Sequence, residues 1–267
     1  MKSKPYMGIS PEVLEVVKPL LDHADGYHKV HKARLARTAH IVSDLVATVG
    51  ENCKVLELGT SGFIPVTLKS LFPSVAIDVT EHVQNADIAT VQEKDFEISG
   101  KSVRAVTFGM DLEYNELPVN DETYDIVVCC EVLEHMEIDP MFMLAEVNRV
   151  LKTGGVLMLT TPNILSSRAI TKMVQGYEPY FYMQYHKSRE YHRHNYEYSA
   201  KGLWAVLKCA GFDPTVWTED LFEDALPHTV EMLNYHGFKI SNVGDNLLAS
   251  AVKVSGVIER YPRGLYV

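Results

Sequence analysis

Cysteine, positive charge and long apolar runs are all scarce in this sequence. Its 267 residues include four cysteines (Cys53, Cys129, Cys130, Cys209), with no C-x-x-C pair and no regular spacing. So few in so long a chain exclude a disulfide framework and point to a reducing compartment. Lys plus Arg number 25 against 35 Asp plus Glu, a formal charge of −10. That balance disfavours a protein that grips nucleic acid through its phosphates. No stretch approaches the ~18 apolar residues of a membrane span, and the opening MKSKPYMGISPEVLEVV has no uninterrupted apolar segment of the secretory kind. The expectation is a cytoplasmic protein acting on a small molecule, with neither nucleic acid nor membrane as partner.

With 46% apolar residues, a chain of this length builds a full core without staples. Residues 11–22 and 28–49 carry apolar side chains at helical spacing, the second through Leu35, Ala39, Val42 and Val46. From residue 54 the rhythm alternates. Strands are predicted at 54–58, 75–80, 103–108, 125–130, 156–161, 215–218 and 247–254. Helices are predicted at 63–71, at 138–151 (stopped by Gly154-Gly155) and at 199–210, with Ser199 as N-cap and Gly211 just past the end. The run DIVVCC is apolar throughout, as an interior strand buried on both faces should be. No repeat and no Pro/Gly/Ser-rich linker divides the chain. The pattern predicts one α/β unit with a mostly parallel sheet and helices on both faces.

The chemistry-bearing residues fall at predicted strand ends. The first strand runs into Glu57 and then Gly59-Thr60-Ser61-Gly62, a turn where backbone can approach a ligand closely. A G-x-x-G turn is also what any tight strand-to-helix connection uses. The next strand ends at Glu81, placed to accept from both hydroxyls of a ribose, with Asp78 the alternative if the strand is shorter. Met110-Asp111 ends the third: Asp111 can accept from an exocyclic amine, and Met110 offers a polarizable surface to a flat ring. The fourth runs into Cys130, Glu131, Glu134 and His135. Together these groups describe one elongated adenosine-containing ligand.

In their order, VLELGTSGF, VAIDVTEH, GMDLEYNELP, YDIVVCCEVLEH and LAEVNRVLKTGGVLMLTTPN resemble the motifs of class I S-adenosylmethionine-dependent methyltransferases over about residues 50–165. GDNLLASAVKV resembles their antiparallel last strand. RHNYEYSAKGL and VIERYPRGLYV resemble, more loosely, a bacterial branch associated with small-molecule and glycan modification. The resemblance implies a Rossmann-like seven-stranded sheet with an antiparallel last strand and a helical insertion after the fifth. It implies N-terminal helices over the cofactor (1–50), a cofactor-binding core (51–162), a substrate-facing insertion (163–198) and a C-terminal part of the same domain (199–267). S-adenosylmethionine is the implied cofactor, held by Glu57, Gly59, Thr60, Ser61, Glu81, Met110, Asp111, Cys130 and Glu131, with Tyr27, His31 or Arg34 meeting its carboxylate. Ser61 stands where the family usually has a second glycine.

His135, following the strand that bears Glu131, is a candidate base for a hydroxyl or amine. It is also what a loop-ordering histidine would look like. Glu134 reads as structural. His186, His192 and His194 cluster in a segment rich in Tyr, Arg and Asn; H-x-H with a third histidine six residues earlier matches no structural zinc pattern, so no metal is expected. His192 and His194 are further catalytic candidates. Tyr185, His186, Arg193, Asn195 and Asn163 read as a polar wall for a hydroxyl-rich acceptor, a sugar or glycan precursor. A homodimer surface of the same composition competes with that reading. The function expected is methyl transfer to oxygen. Its rivals are N-methylation of an amino sugar or amino acid, a non-catalytic protein of the same fold, and a nicotinamide-dependent dehydrogenase, for which G-x-G-x-x-G is lacking.

Overall fold

The computed structural model describes residues 6–24, 26–83, 86–179, 193–222, 226–237 and 241–267. Among them, apolar and alternating runs form one sheet of eight strands. These are β1 (Lys54–Leu58), β2 (Ala76–His82), β3 (Thr90–Ile98), β4 (Lys101–Met110), β5 (Tyr124–Cys130), β6 (Leu151–Pro162), β7 (Phe212–Glu219) and β8 (Asn246–Lys253). Their spatial order is β3-β4-β2-β1-β5-β6-β8-β7. From β4 to β6 neighbours are parallel, whereas β8 runs antiparallel to both β6 and β7. The expected seven strands are all present, the last of them antiparallel. The eighth corrects the count: β3 pairs antiparallel with β4 along its whole length, from Thr90–Gly109 to Ile98–Lys101.

Helices α1 (Pro11–Asp22), α2 (Gly26–Val30), α3 (Lys32–Val49) and α4 (Phe63–Leu71) precede β2. Buried residues of α1, α3 and α4 pack with Ile126 and Val128 of β5 on one face of the sheet. On the other face α5 (Pro140–Val150) and α7 (Ala200–Cys209) pack with Val127 and Cys129. Strict side alternation in a strand buried on both faces explains why DIVVCC shows no polar alternation. Ser199 caps α7 by accepting from Gly202 N–H, as expected. Two expectations shift. The helix predicted over 28–49 breaks at His31. The helix predicted over 138–151 begins after an Asp139 cap and ends at Val150, so Gly154-Gly155 lies within β6, beside a register irregularity with β5. The insertions between strands carry α6 (Ser167–Val174) and the unexpected α8 (Pro227–Tyr235).

The chain passes from β1 to β2 on one side and returns to β5 on the other. Beyond the carboxyl ends at such a reversal is where open α/β sheets bind ligands. In the C-terminal tail, Arg260 bonds both oxygens of Asp139 at the start of α5.

Gly211, between α7 and β7, has φ +91°, and a Cβ there would lie 2.5 and 2.6 Å from the carbonyl oxygens of Gly256 and Ser255. Backbone cannot yield as a side-chain tip can. Gly211→Ala is expected to lower unfolding stability by at least about 2 kcal/mol in urea titration; an unchanged midpoint would contradict this packing.

Candidate functional site

The turn after β1 is built tightly. Gly59 has φ +66°, and its missing Cβ would sit 2.7 Å from Val132 Cγ2, so the turns after β1 and β5 abut. Thr80 of β2 holds the turn, its hydroxyl accepting from Gly59 N–H at 2.9 Å and its carbonyl from Thr60 N–H at 3.0 Å. The Thr60 hydroxyl donates to Glu57, which is buried. Desolvation pushes the Glu57 carboxyl up to about 7, partly offset by that hydrogen bond.

Glu81 and Met110 lie on adjacent strand ends, with Glu81 opposite Gly109 and His82 opposite Met110. Lys94 of β3 donates to Glu81 at 2.6 Å. Both partners are partly exposed, so the pair contributes under ~1 kcal/mol and yields readily to a better ligand. Asp78 is excluded as the alternative: it accepts from Tyr124 hydroxyl at 2.8 Å and pairs with Lys54 at 2.9 Å. Asp111 is buried and shapes its own turn, one carboxylate oxygen accepting from Glu113 N–H at 3.0 Å. Met110 is fully buried and supports the strand end from beneath rather than presenting a surface to a ring.

A roof covers this half of the crevice. His28 Nε2 lies 3.1 Å from Ser61 carbonyl. Arg34 of α3 is 2% exposed, donates to Tyr27 hydroxyl at 2.5 Å, and stands over the rings of Tyr27 and Phe222. Its Nη1 is 4.0 Å from Glu131. Burial, then the charge of Arg34, pushes the His31 imidazole down to about 4, so it is neutral. Nδ1 of His31 and Nε of Arg34 are buried without hydrogen-bond partners, as groups waiting for an anion would be. Arg37 anchors α3 by forking onto both Glu219 oxygens at the end of β7.

The other half lies past β5. Glu131 takes φ +56°, a strained conformation for a side-chain-bearing residue. Its carboxylate accepts from Thr160 at 2.8 Å and Asn246 at 3.0 Å, so it ties β5, β6 and β8 together beneath the crevice. Burial pushes the Cys130 thiol up to about 12, leaving it neutral. A short 3-10 turn, Leu133–His135, then carries Glu134 and His135. Residues 193–196 dock on it, with Asn195 and Tyr196 N–H both bonded to Glu134 carbonyl and the Asn195 amide to His135 carbonyl. That docking brings His194 edge-on to His135, ring centres 5.1 Å apart.

The predicted residues therefore divide. Glu57, Gly59, Thr60, Ser61, Glu81, Asp111 and Cys130 gather at neighbouring strand ends; Glu131 sits below them, in structural bonds. Asn163 is buried, its amide donating to the carbonyls of Asn242 and Gly244, and Asn195 holds backbone, so neither is directed at an acceptor. Arg193 bonds Asn195 at 3.2 Å. Tyr185, His186 and His192 lie outside the described residues. Sequence reasoning missed Thr80, Lys94, Val132 and the Asn246–Glu131 bond. Only Asn246, polar at the mouth of an apolar strand, left a visible signal.

A family profile described as a methyltransferase domain matches residues 30–216. Among curated proteins, a ubiquinone biosynthesis O-methyltransferase of Aliivibrio fischeri is 27% identical over 143 residues, covering 51% of this chain and 55% of that protein. Another from Actinobacillus pleuropneumoniae is 30% identical over 112 residues, 41% and 46% of the two. The chain thus spans about half the length of the curated relatives it matches. Two solved structures share the fold. A SAM-dependent methyltransferase of Thermotoga maritima, described as a possible histamine N-methyltransferase, aligns with TM-score 0.51 at 18% identity over 90% of this chain and 99% of its own. One from Methanosarcina mazei aligns with TM-score 0.50 at 16% identity over 80% and 97%.

Burial makes Glu57 bind a proton more tightly in the folded than in the unfolded chain, so its contribution to stability falls as pH rises from about 4.5 through about 7. Glu57→Gln keeps the shape and removes the charge. It is expected to match the parent below pH 4.5 and to exceed it by about 3 kcal/mol above pH 7, at about 1.4 kcal/mol per tenfold in proton affinity. Chemical unfolding across pH checks this; a gap that does not widen with pH would contradict it.

Proposed function

The chain belongs to the methyltransferase-domain family, and from that premise we propose that it moves the methyl group of S-adenosylmethionine to an oxygen of a small molecule. The observation that carries the reading is the convergence of Glu57, Glu81 and Asp111 on the carboxyl ends of β1, β2 and β4, three adjacent strands beside the Gly59 turn. A sheet edge of this kind suits one extended nucleoside. The antiparallel β8 and the absence of G-x-G-x-x-G argue against a dehydrogenase.

When bound, S-adenosylmethionine supplies a methyl group already activated by its sulfonium, so the protein's main contribution is placement. The residues fit that cofactor. The turn after β1 brings bare backbone to the crevice, Glu81 can accept from ribose hydroxyls, and Asp111 stands where an exocyclic amine would reach it. Burial raises the Glu57 carboxyl to about 7, and an approaching cation would favour its ionised form. Arg34 and His31, with unpaired buried nitrogens under the roof, suit a carboxylate. An acceptor oxygen loses its proton as it is methylated, and His135 and His194 stand together at the end of the crevice where that proton must be handled. Support for oxygen as the acceptor comes from the curated relatives, which are named O-methyltransferases. A sugar or glycan precursor suits the Tyr-, His- and Arg-rich composition of residues 163–198.

Thermal unfolding with added ligands tests the donor half. S-adenosylmethionine at a hundredfold its Kd is expected to add ~2.7 kcal/mol, and NAD to add nothing. Glu81→Ala should weaken the binding about 10–100-fold, the loss of a hydrogen bond to a charged group. Stabilisation by NAD alone, or an unaffected Glu81→Ala, contradicts the assignment. Transfer of labelled methyl to a panel of glycosides and amines tests the acceptor; label on amines alone would move the assignment to nitrogen.

A further inference from the structure

One side chain ties the loop after β4 to the segment before α5. Glu113 is half-buried, and its carboxylate accepts from three successive backbone N–H groups. Glu137 donates to Oε2 at 2.8 Å, and Ile138 and Asp139 each donate to Oε1 at 2.7 Å. These donors directly precede α5, whose amino end carries the partial positive charge that favours a carboxylate. Each is a charge-assisted bond, and three from consecutive residues fix a backbone path as one surface ion pair cannot.

Glu113 grips the other side with its own backbone. Its N–H donates to Asp111 Oδ1 at 3.0 Å, and Asp111 N–H donates in turn to Asn115 Oδ1 at 2.9 Å. The Asn115 amide donates to Ala86 carbonyl at 3.0 Å, in the connection after β2. Asp111 is the carboxylate proposed for the adenine amine. Glu137, at the other end, follows closely on the 3-10 turn Leu133–His135. A line of hydrogen bonds thus runs from the place proposed for adenine to the turn that bears His135.

The loop after β4 is also fastened along α5. Arg149 donates to the carbonyls of Leu117 and Val119, and Glu146 accepts from Leu117 N–H, each at 2.9 Å. Arg260 and Tyr266 hold Asp139 from the C-terminal tail. Of these ties, Glu113 is the one that reaches both Asp111 and the His135 turn.

We propose that Glu113 is a positioning residue that couples occupation of the adenosine site to the placement of the His135 turn. Contact of the donor with Asp111 restrains the Glu113 backbone, and the Glu113 carboxylate passes that restraint to residues 137–139. The turn then opens less often with the donor bound, so the acceptor meets a fixed His135. A displacement of about 1 Å there costs up to about 100-fold in rate. The coupling rests on the methyl-transfer reading above, since it needs a nucleoside at Asp111.

Hydrogen exchange of the full-length protein, with and without saturating S-adenosylhomocysteine, tests the coupling. In the parent the ligand is expected to slow exchange over 133–139 by about 5–150-fold, the ordinary range for coupled sites. Glu113→Ala should lose that slowing yet bind the ligand within about threefold of the parent, because the closed turn already predominates when the site is empty. Arg149 and Glu146 still hold the loop in that variant, and retained ligand binding is the check on folding. Glu113→Gln, which keeps one acceptor oxygen, should give an intermediate slowing and serves where alanine unfolds the loop. Glu116→Ala, exposed on the same loop, should behave as the parent. With an acceptor from the labelled-methyl panel, Glu113→Ala should lower kcat about 10–100-fold and leave the KM for S-adenosylmethionine within about threefold. Either Glu113 variant that exchanges faster but responds to the ligand by the parent's factor overturns the coupling and leaves the donor reading intact. A parent that binds the ligand without slowing does the same. A parent that binds no S-adenosylhomocysteine overturns the donor reading and the coupling together.

Discussion

Everything at the functional end of this molecule depends on how closely the turns after β1 and β5 approach each other. Gly59 and Val132 meet where no Cβ could fit, and the next residue back, Glu131, is held at positive φ by bonds to Thr160 and Asn246. Parallel strands whose connections lead to opposite sides must separate at their carboxyl ends. Here the two turns are locked, the first to β2 through Thr80 and the second to β6 and β8 through Thr160 and Asn246. The strain at Glu131 has a use. It turns the chain sharply enough to place Glu134 beneath the crevice and His135 at its edge.

The two halves of the crevice are built by different means. In the half proposed for the donor the walls are strand ends, and the roof is borrowed from the N-terminal helices. Arg34 reaches toward Glu131 from above, while Arg37 clamps the same helix to Glu219 at the far side of the sheet. In the half proposed for the acceptor the wall is a loop, residues 193–196, fixed by backbone bonds to Glu134 and His135. Buried ionisable groups are the shared theme. Glu57, Arg34 and Glu134 all sit where solvation is poor, and Arg34 Nε and Glu134 Oε1 lack a hydrogen-bond partner.

Most of the sheet was legible because buried parallel strands leave strong apolar runs, as at VVCC and VLEL, and because helix caps such as Ser199 carry local chemistry. β3 was not legible. TVQEKDFEI has charged residues on both faces and buries only Ile98; it is held by its ladder to β4, which no single-strand pattern reveals. The residues proposed to hold the donor lie at strand ends, where position along the chain predicts position in space. The roles of Asn163 and Asn195 could not be read, since both look like ligand-binding amides and are used to hold backbone. The bond of Asn195 to His135, sixty residues earlier, depends on loop docking that leaves no periodic trace.

The most direct measurement of the central claim is a crystal structure with S-adenosylhomocysteine. The account predicts its ribose hydroxyls on Glu81, with Lys94 displaced or sharing the carboxylate, its adenine amine at Asp111, and its carboxylate beneath Arg34. The product bound anywhere else, or Glu81 and Asp111 contacting separate molecules, would contradict it.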